Sequence, residues 1–160
     1  MHAPAIDKKV LYEYLEEIKD PEIPVLSIVD MGIVRDVQLN EQGELDVTIT
    51  ATYTGCPAMD MIAAAIRVEM QTLGFKKVNI RYAISPAWTT DWMSESGKRK
   101  LKEYGIAAPD KRFAIAADGV ECPRCNSHHT KLLSEFGSTA CKALYQCEDC
   151  KEPFDYFKCH

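Results

Sequence analysis

Val10, Leu11, Tyr14, Leu15 and Ile18 recur at i, i+3, i+4 spacing across residues 7–19, with Glu13, Glu16 and Glu17 left to face water. That periodicity predicts an amphipathic helix. It stops at Asp20-Pro21-Glu22-Ile23-Pro24, where two prolines bar helical continuation and push the preceding residues into extended backbone. Ser27 to Gly32 then bends into an expected strand over 33–40, and Glu41-Gln42-Gly43-Glu44 reads as a hairpin connection. Beyond it Leu45, Val47, Ile49 and Ala51 alternate with Asp46, Thr48 and Thr50, the period-2 pattern of a half-buried strand. Thr52-Tyr53-Thr54-Gly55-Cys56-Pro57 opens a helix over 58–73. Pro57 suits its first position, because a helix has no internal acceptor for the N–H that proline lacks there. The expected buried stripe runs through Met61, Ile62, Ala65, Ile66, Glu69 and Leu73, and Gly74 is placed to stop the helix. Val78, Ile80, Tyr82 and Ile84 alternate as a third strand. The order α-β-β-α-β predicts an α/β fold, an α+β sandwich with helices packed on one sheet.

After Trp88-Thr89-Thr90-Asp91-Trp92 a short charged helix is expected over 94–104. The pattern then weakens into small residues with Pro109 and Gly119. The expected organisation is an α/β domain over 1–105, a linker over 106–120 and a Cys-rich ribbon over 121–160. About 40 residues bury too little apolar surface to fold unaided, so the ribbon calls for a metal, a disulfide or a partner.

Composition narrows the choice. Of 160 residues, 46% are hydrophobic and 27% charged, as in globular proteins. The 24 acidic against 19 basic residues give a net charge of −5, which argues against a nucleic-acid footprint. No basic segment followed by an apolar run opens the chain, and no stretch approaches the roughly 18 apolar residues of a membrane span. The expected setting is therefore the reducing cytoplasm. There, seven cysteines, six of them between Cys122 and Cys159, serve as metal ligands or reactive thiols rather than disulfides.

Cys122-Pro123-Arg124-Cys125 and Cys147-Glu148-Asp149-Cys150 are separated by 21 residues, enough for a hairpin over 130–136 and 142–146. Two such knuckles bring four sulfurs to a tetrahedral point. Structural zinc is the expected occupant, and an iron–sulfur cluster is the alternative that the same four thiolates allow. Cys141 and Cys159 are left as possible extra ligands or buried thiols, and Phe154, Tyr156 and Phe157 as packing over the metal or as a partner surface.

Cys56 sits where a strand meets a helix N-terminus, which favours the thiolate. It is either a nucleophile or soft-metal ligand, or a small buried thiol. Asp20 and Glu22, on either side of Pro21, either help ligate a metal or cap neighbouring backbone, the latter being commoner for acids in proline turns. The same holds for Asp30 and Asp36. No phosphate loop, dinucleotide fingerprint or nucleophile–base pair is present, so no catalytic role is expected.

The strings at 20–32 (Asp-Pro-Glu-Ile-Pro-Val-Leu-Ser-Ile-Val-Asp-Met-Gly) and 52–57 resemble the iron–sulfur cluster assembly factors related to the eukaryotic cytosolic assembly protein and to bacterial Suf accessory proteins. Ser-Pro-Ala-Trp-Thr-Thr-Asp-Trp-Met at 85–93, with 134–147 and 152–159, is similar to one branch, the D components of bacterial phenylacetate degradation. The resemblance implies an accessory role toward the phenylacetyl-CoA epoxidase, whose partners are a di-iron oxygenase and a reductase with flavin and an iron–sulfur centre. It further implies that Cys56 is the reactive motif cysteine and that Asp20 and Glu22 are its acidic pair. Two functions follow as expectations, a maturation factor handling iron or a cluster, or a non-catalytic docking component.

Overall fold

The computed structural model describes residues 6–53, 55–108 and 119–157. The chain divides into two compact units, Met1–Ser94 and Glu95–His160. In the first, helix α1 (Lys8–Leu15), strands β1 (Val34–Leu39) and β2 (Leu45–Ile49), helix α2 (Ala58–Thr72) and strand β3 (Val78–Tyr82) follow one another. This is the expected α-β-β-α-β order. β1 and β2 pair antiparallel, and β2 pairs parallel with β3 through the crossover helix α2, giving sheet order β1-β2-β3. α1 packs against α2 and β1, and α2 against β3. Leu15, Leu26, Ile28, Ile49, Ile66 and Met70 are fully buried between them, each worth about 1.5–3 kcal/mol of transfer free energy.

Asp7 caps α1, its carboxylate accepting the Lys9 amide at 3.1 Å. The helix ends at Leu15, short of the expected 19. Residues 18–20 are instead claimed by the returning chain, with Ile28 N donating to Ile18 O at 3.0 Å and Asp20 N to Leu26 O at 2.9 Å. On α2 the buried face is Met59, Ile62, Ala63, Ile66 and Met70, while Met61 is 63% exposed. The helix is thus rotated from the expected stripe. An Ala- and Met-rich helix offers two apolar stripes, and packing against α1 and β3 buries the one through Met59, Ala63 and Met70.

The buried 20–32 passage is braced from the 85–94 segment. Trp88 Nε1 donates to Met31 O at 2.8 Å. Ser94 donates its Oγ to Asp30 Oδ1 at 2.7 Å and its N–H to Asp30 O at 2.8 Å. Gly32, at φ +70°, lies so close to Trp92 that a Cβ there would meet Trp92 O at 2.5 Å.

In the second unit, helix α3 (Glu95–Tyr104) leads into β4 (Ile106–Ala107), followed by β5 (Thr130–Ser134), β6 (Lys142–Cys147) and β7 (Pro153–Phe157). The sheet order is β4-β7-β6-β5. Of the stretch expected as a linker, 109–118 lies outside the described residues. Ile106 and Ala107, however, pair in parallel with Asp155 and Tyr156. A two-residue strand has no periodicity of its own, so only its partner reveals it. No helix among the described residues is long and apolar enough to cross a membrane.

Glu44, at the β1–β2 turn, accepts from Lys77 Nζ at 2.9 Å and Asn79 Nδ2 at 2.9 Å. These bonds, Lys77 foremost, pull its carboxyl from 4.5 down to about 2. A depressed carboxyl stabilises the fold above its unfolded pKa, and that contribution fades as pH falls from about 4.5 toward about 2. Glu44→Gln is expected to lower the melting temperature at pH 7 and to flatten its decline through that acid window, as followed by circular dichroism.

Candidate functional site

Each ribbon knuckle is built by the same backbone device. Cys122 N donates to Ser127 O at 2.8 Å, and Cys147 N to Glu152 O at 3.0 Å, a span of five residues in both. The residue after each second cysteine turns left-handed, Asn126 at φ 62° and Lys151 at φ 68°. Asparagine tolerates that conformation, whereas for a lysine it costs about 1–2 kcal/mol, so the knuckle geometry outweighs local preference at Lys151. The result brings the sulfurs of Cys122, Cys125, Cys147 and Cys150 within 4.8 Å of one another. Cys122 and Cys150 sulfurs are 3.8 Å apart, and those of Cys125 and Cys147 3.5 Å. A tetrahedral metal with bonds of about 2.3 Å has sulfur–sulfur edges of about 3.8 Å, so the four residues fit a metal ion.

Cys122 and Cys147 are buried and pack with Ala107 and Phe154, with Tyr145 stacked on Phe154 at 5.9 Å. Phe154 therefore packs with Cys122 and Cys147, Tyr145 and Tyr156 lie against them, and Phe157 is buried, while Phe136 is exposed. Cys147 is pulled down to about 7, first by the Cys150 amide that donates to its sulfur at 3.4 Å. Cys125 is pushed up to about 12: the Ser127 amide favours its thiolate, but lost solvation and the sulfurs of Cys147, Cys150 and Cys122 outweigh it. Four thiols this close cannot all ionise unless a cation joins them.

Cys141 lies away from this cluster. It precedes β6, whose far end is Cys147, and its sulfur is 3.0 Å from Thr139 Oγ1. Six residues of strand separate the two by about 20 Å. Cys159 lies outside the described residues.

The second constellation is in the first unit. Asp20 Oδ1 accepts the amides of Glu22 at 2.8 Å and Ile23 at 2.9 Å, capping the proline turn. Asp30 likewise serves the backbone, exchanging bonds with Ser27, and Asp36 pairs with Lys8 at 2.6 Å on the surface. The turn carries Glu22 to Tyr53, whose hydroxyl donates to Glu22 Oε1 at 3.4 Å. Tyr53 also hydrogen-bonds the half-buried Cys56 thiol, and Asp20 and Glu22 act on that thiol by charge. Tyr53 was not anticipated, although its place three residues before the cysteine in one turn is a usable signal.

Burial pushes the Cys56 thiol up, and Glu22 and Asp20 add to the rise; the amide of Ala58 and the hydroxyl of Tyr53 oppose it. This reverses the expected low thiol pKa. A helix end supplies about 0.3–1 kcal/mol, less than one pKa unit, and loses to desolvation and two carboxylates. Among the described residues, the four ribbon sulfurs are the one set of three or more such ligand atoms that converges. Asp20, Glu22 and Cys56 adjoin without closing on a point.

Residues 8–81 match the family described as iron–sulfur cluster assembly protein, and residues 107–158 the PaaD zinc beta ribbon domain. The chain is 51% identical over 151 residues to the D component of the Escherichia coli K12 system named "Putative 1,2-phenylacetyl-CoA epoxidase", covering 93% of this chain and 91% of that one. It is 36% identical over 88 residues to an Fe-S protein maturation auxiliary factor of Porphyromonas gingivalis, covering 54% of this chain and 83% of that one. Among solved structures, a domain of unknown function from Bacillus anthracis aligns with a TM-score of 0.55 at 29% identity, covering 59% of this chain and 90% of that chain.

Two outcomes follow from the geometry. Stripping the metal with a chelator, or substituting Cys147→Ser, should abolish amide-exchange protection over 119–157 and leave that of α2 and β1–β3 in place, because ligands make up half of the buried ribbon cluster. In metal-loaded protein, alkylation of Cys56 followed by peptide mass spectrometry should rise with pH around a midpoint above the ordinary cysteine value. Glu22→Gln should move that midpoint down by removing a like charge.

Proposed function

We propose, from the premise that this chain belongs to the family of epoxidase D components in which an iron–sulfur cluster assembly domain is joined to a PaaD zinc beta ribbon, that it is an accessory maturation factor of a phenylacetyl-CoA epoxidase. It acts in the cytoplasm on the epoxidase's own components, the reductase with its iron–sulfur centre or the di-iron oxygenase, and does not itself turn over substrate. The observation that carries this reading is the meeting of Cys56, Tyr53, Glu22 and Asp20 at one corner of the assembly-type domain. Two carboxylates beside a thiol penalise a lone thiolate and favour a cation that neutralises all three. Iron, free or as a cluster, is the cargo.

The incomplete ligand set suits cargo in transit, because a donor or client can supply the remaining ligands. The ribbon differs. Its four converging thiolates hold one resident ion, and Cys122, Cys125, Cys147 and Cys150 are its ligands. That ion is zinc in this reading, holding the knuckles together without redox change. A docking role for the ribbon draws support from exposed apolar side chains on and beside its edge strand β5, Leu132, Leu133 and Phe136.

The decisive measurement is made in cells whose sole copy carries Cys56→Ala. Epoxidase from such cells is expected to lose most of its activity and to be deficient in iron or acid-labile sulfide, with the variant present at normal abundance. Full activity with full metal content would remove the thiol from the mechanism. Elemental analysis of the anaerobically purified wild type is expected to find about one zinc per chain; iron and sulfide in cluster ratio would instead assign the ribbon to a cluster.

A further inference from the structure

The knuckles are joined by more than the four sulfurs. Ser127 lies two residues after Cys125, and its amide faces that cysteine's sulfur. Asp149 lies inside the second knuckle, and its amide, with that of Cys150, faces the sulfur of Cys147. These two sulfurs, one from each knuckle, are 3.5 Å apart. The side chains of the same two residues also meet, Ser127 Oγ donating to Asp149 Oδ2. His129 completes the arrangement. Its amide donates to Ser127 Oγ at 3.0 Å, its carbonyl accepts Glu148 N at 2.7 Å, and its Nδ1 lies 3.3 Å from Asp149 Oδ2. Because the His129 amide occupies a lone pair of the Ser127 hydroxyl, the hydroxyl proton is directed to Asp149.

We propose that Ser127 and Asp149 are positioning residues that clamp one metal knuckle to the other, their side-chain hydrogen bond holding in place the two amides that face Cys125 and Cys147 and so setting how long the ribbon retains its metal. The physical basis is charge. Four thiolates around a divalent ion carry net negative charge, which inward-facing N–H groups stabilise only while their direction is held. Cys125 is an exposed residue whereas Cys147 is buried, so the amide donor to Cys125 is the more open of the two to competition from water. Outer partners of metal ligands are commonly worth about 10–100-fold in affinity, and one cross-knuckle bond belongs at the lower end of that range.

The test uses the full-length protein loaded with zinc and a chromophoric chelator that reports release. Ser127→Ala and Asp149→Ala are each expected to shorten the half-life of zinc release about tenfold, and the double variant by clearly less than the product of the two, since the bond they share is already lost in either. Asp149→Asn and Ser127→Thr preserve that bond and are expected to release zinc at the wild-type rate. With cobalt in place of zinc, the thiolate-to-metal charge-transfer band is expected to shift in the alanine variants and to return in the conservative ones, a signature that loosened packing alone does not give. Any variant that purifies without metal is reloaded and timed from its one-metal state. Wild-type release from both alanine variants, a double variant whose effect is the product of the singles, or an Asp149→Asn as leaky as Asp149→Ala would each overturn the clamp.

Discussion

Four cysteine sulfurs within 4.8 Å are the constraint on which the second unit depends. Two of the four cysteines, Cys122 and Cys147, are themselves wholly buried, sharing a small cluster with Ala107 and Phe154. The apolar surface there is too small to fold a ribbon on its own. The crowded sulfurs oppose one another's ionisation, Cys125 being pushed up to about 12 while the Cys150 amide pulls Cys147 down to about 7. A metal ion relieves that repulsion and closes the cluster in one step, so metal affinity and folding free energy are the same quantity here. The left-handed Lys151 belongs to the second knuckle that this closure requires.

The first unit depends on a different solution to a polar problem. Its 20–32 passage is largely buried yet has little regular structure, so its backbone groups need partners from elsewhere. Asp20, Ser27 and Asp30 supply them locally, and Trp88 and Ser94 supply them from the 85–94 segment. A turn fixed on so many sides delivers Glu22 to Tyr53 in one place. Asp20 thus has two duties, capping the turn and placing charge near Cys56, and its removal would confound fold with function. Cys56 and Glu22 are cleaner places to probe chemistry.

The two thiol sites differ in the way their proposed duties require. The ribbon ligands converge, receive amide donors and exclude water on one side, as suits retention of an ion. Cys56 stands half-buried with its proton held on by burial and by two carboxylates. In the proposed role, a cation bound there would displace that proton, which would couple loading to pH.

Periodicity and spacing, being local, were readable from the chain alone. Alternation at 45–51 and the Pro57 entry into α2 reflect backbone preferences that travel with the residues, and the order of elements followed from them. The paired Cys-x-x-Cys motifs were legible for the same reason, since each knuckle closes over a few residues. Tertiary structure decided what distant segments bring together. It rotated α2 onto Met59, Ala63 and Met70, paired Ile106 and Ala107 with β7, and set Cys141 at the far end of β6 from Cys147. It also joined Tyr53 to Glu22 across 31 residues and Ser127 to Asp149 across 22. Above all it reversed the acidity of Cys56. A helix end is visible in sequence and lowers a thiol pKa modestly. Desolvation and the charges of Asp20 and Glu22 arrive only when the chain folds back, and together they outweigh it.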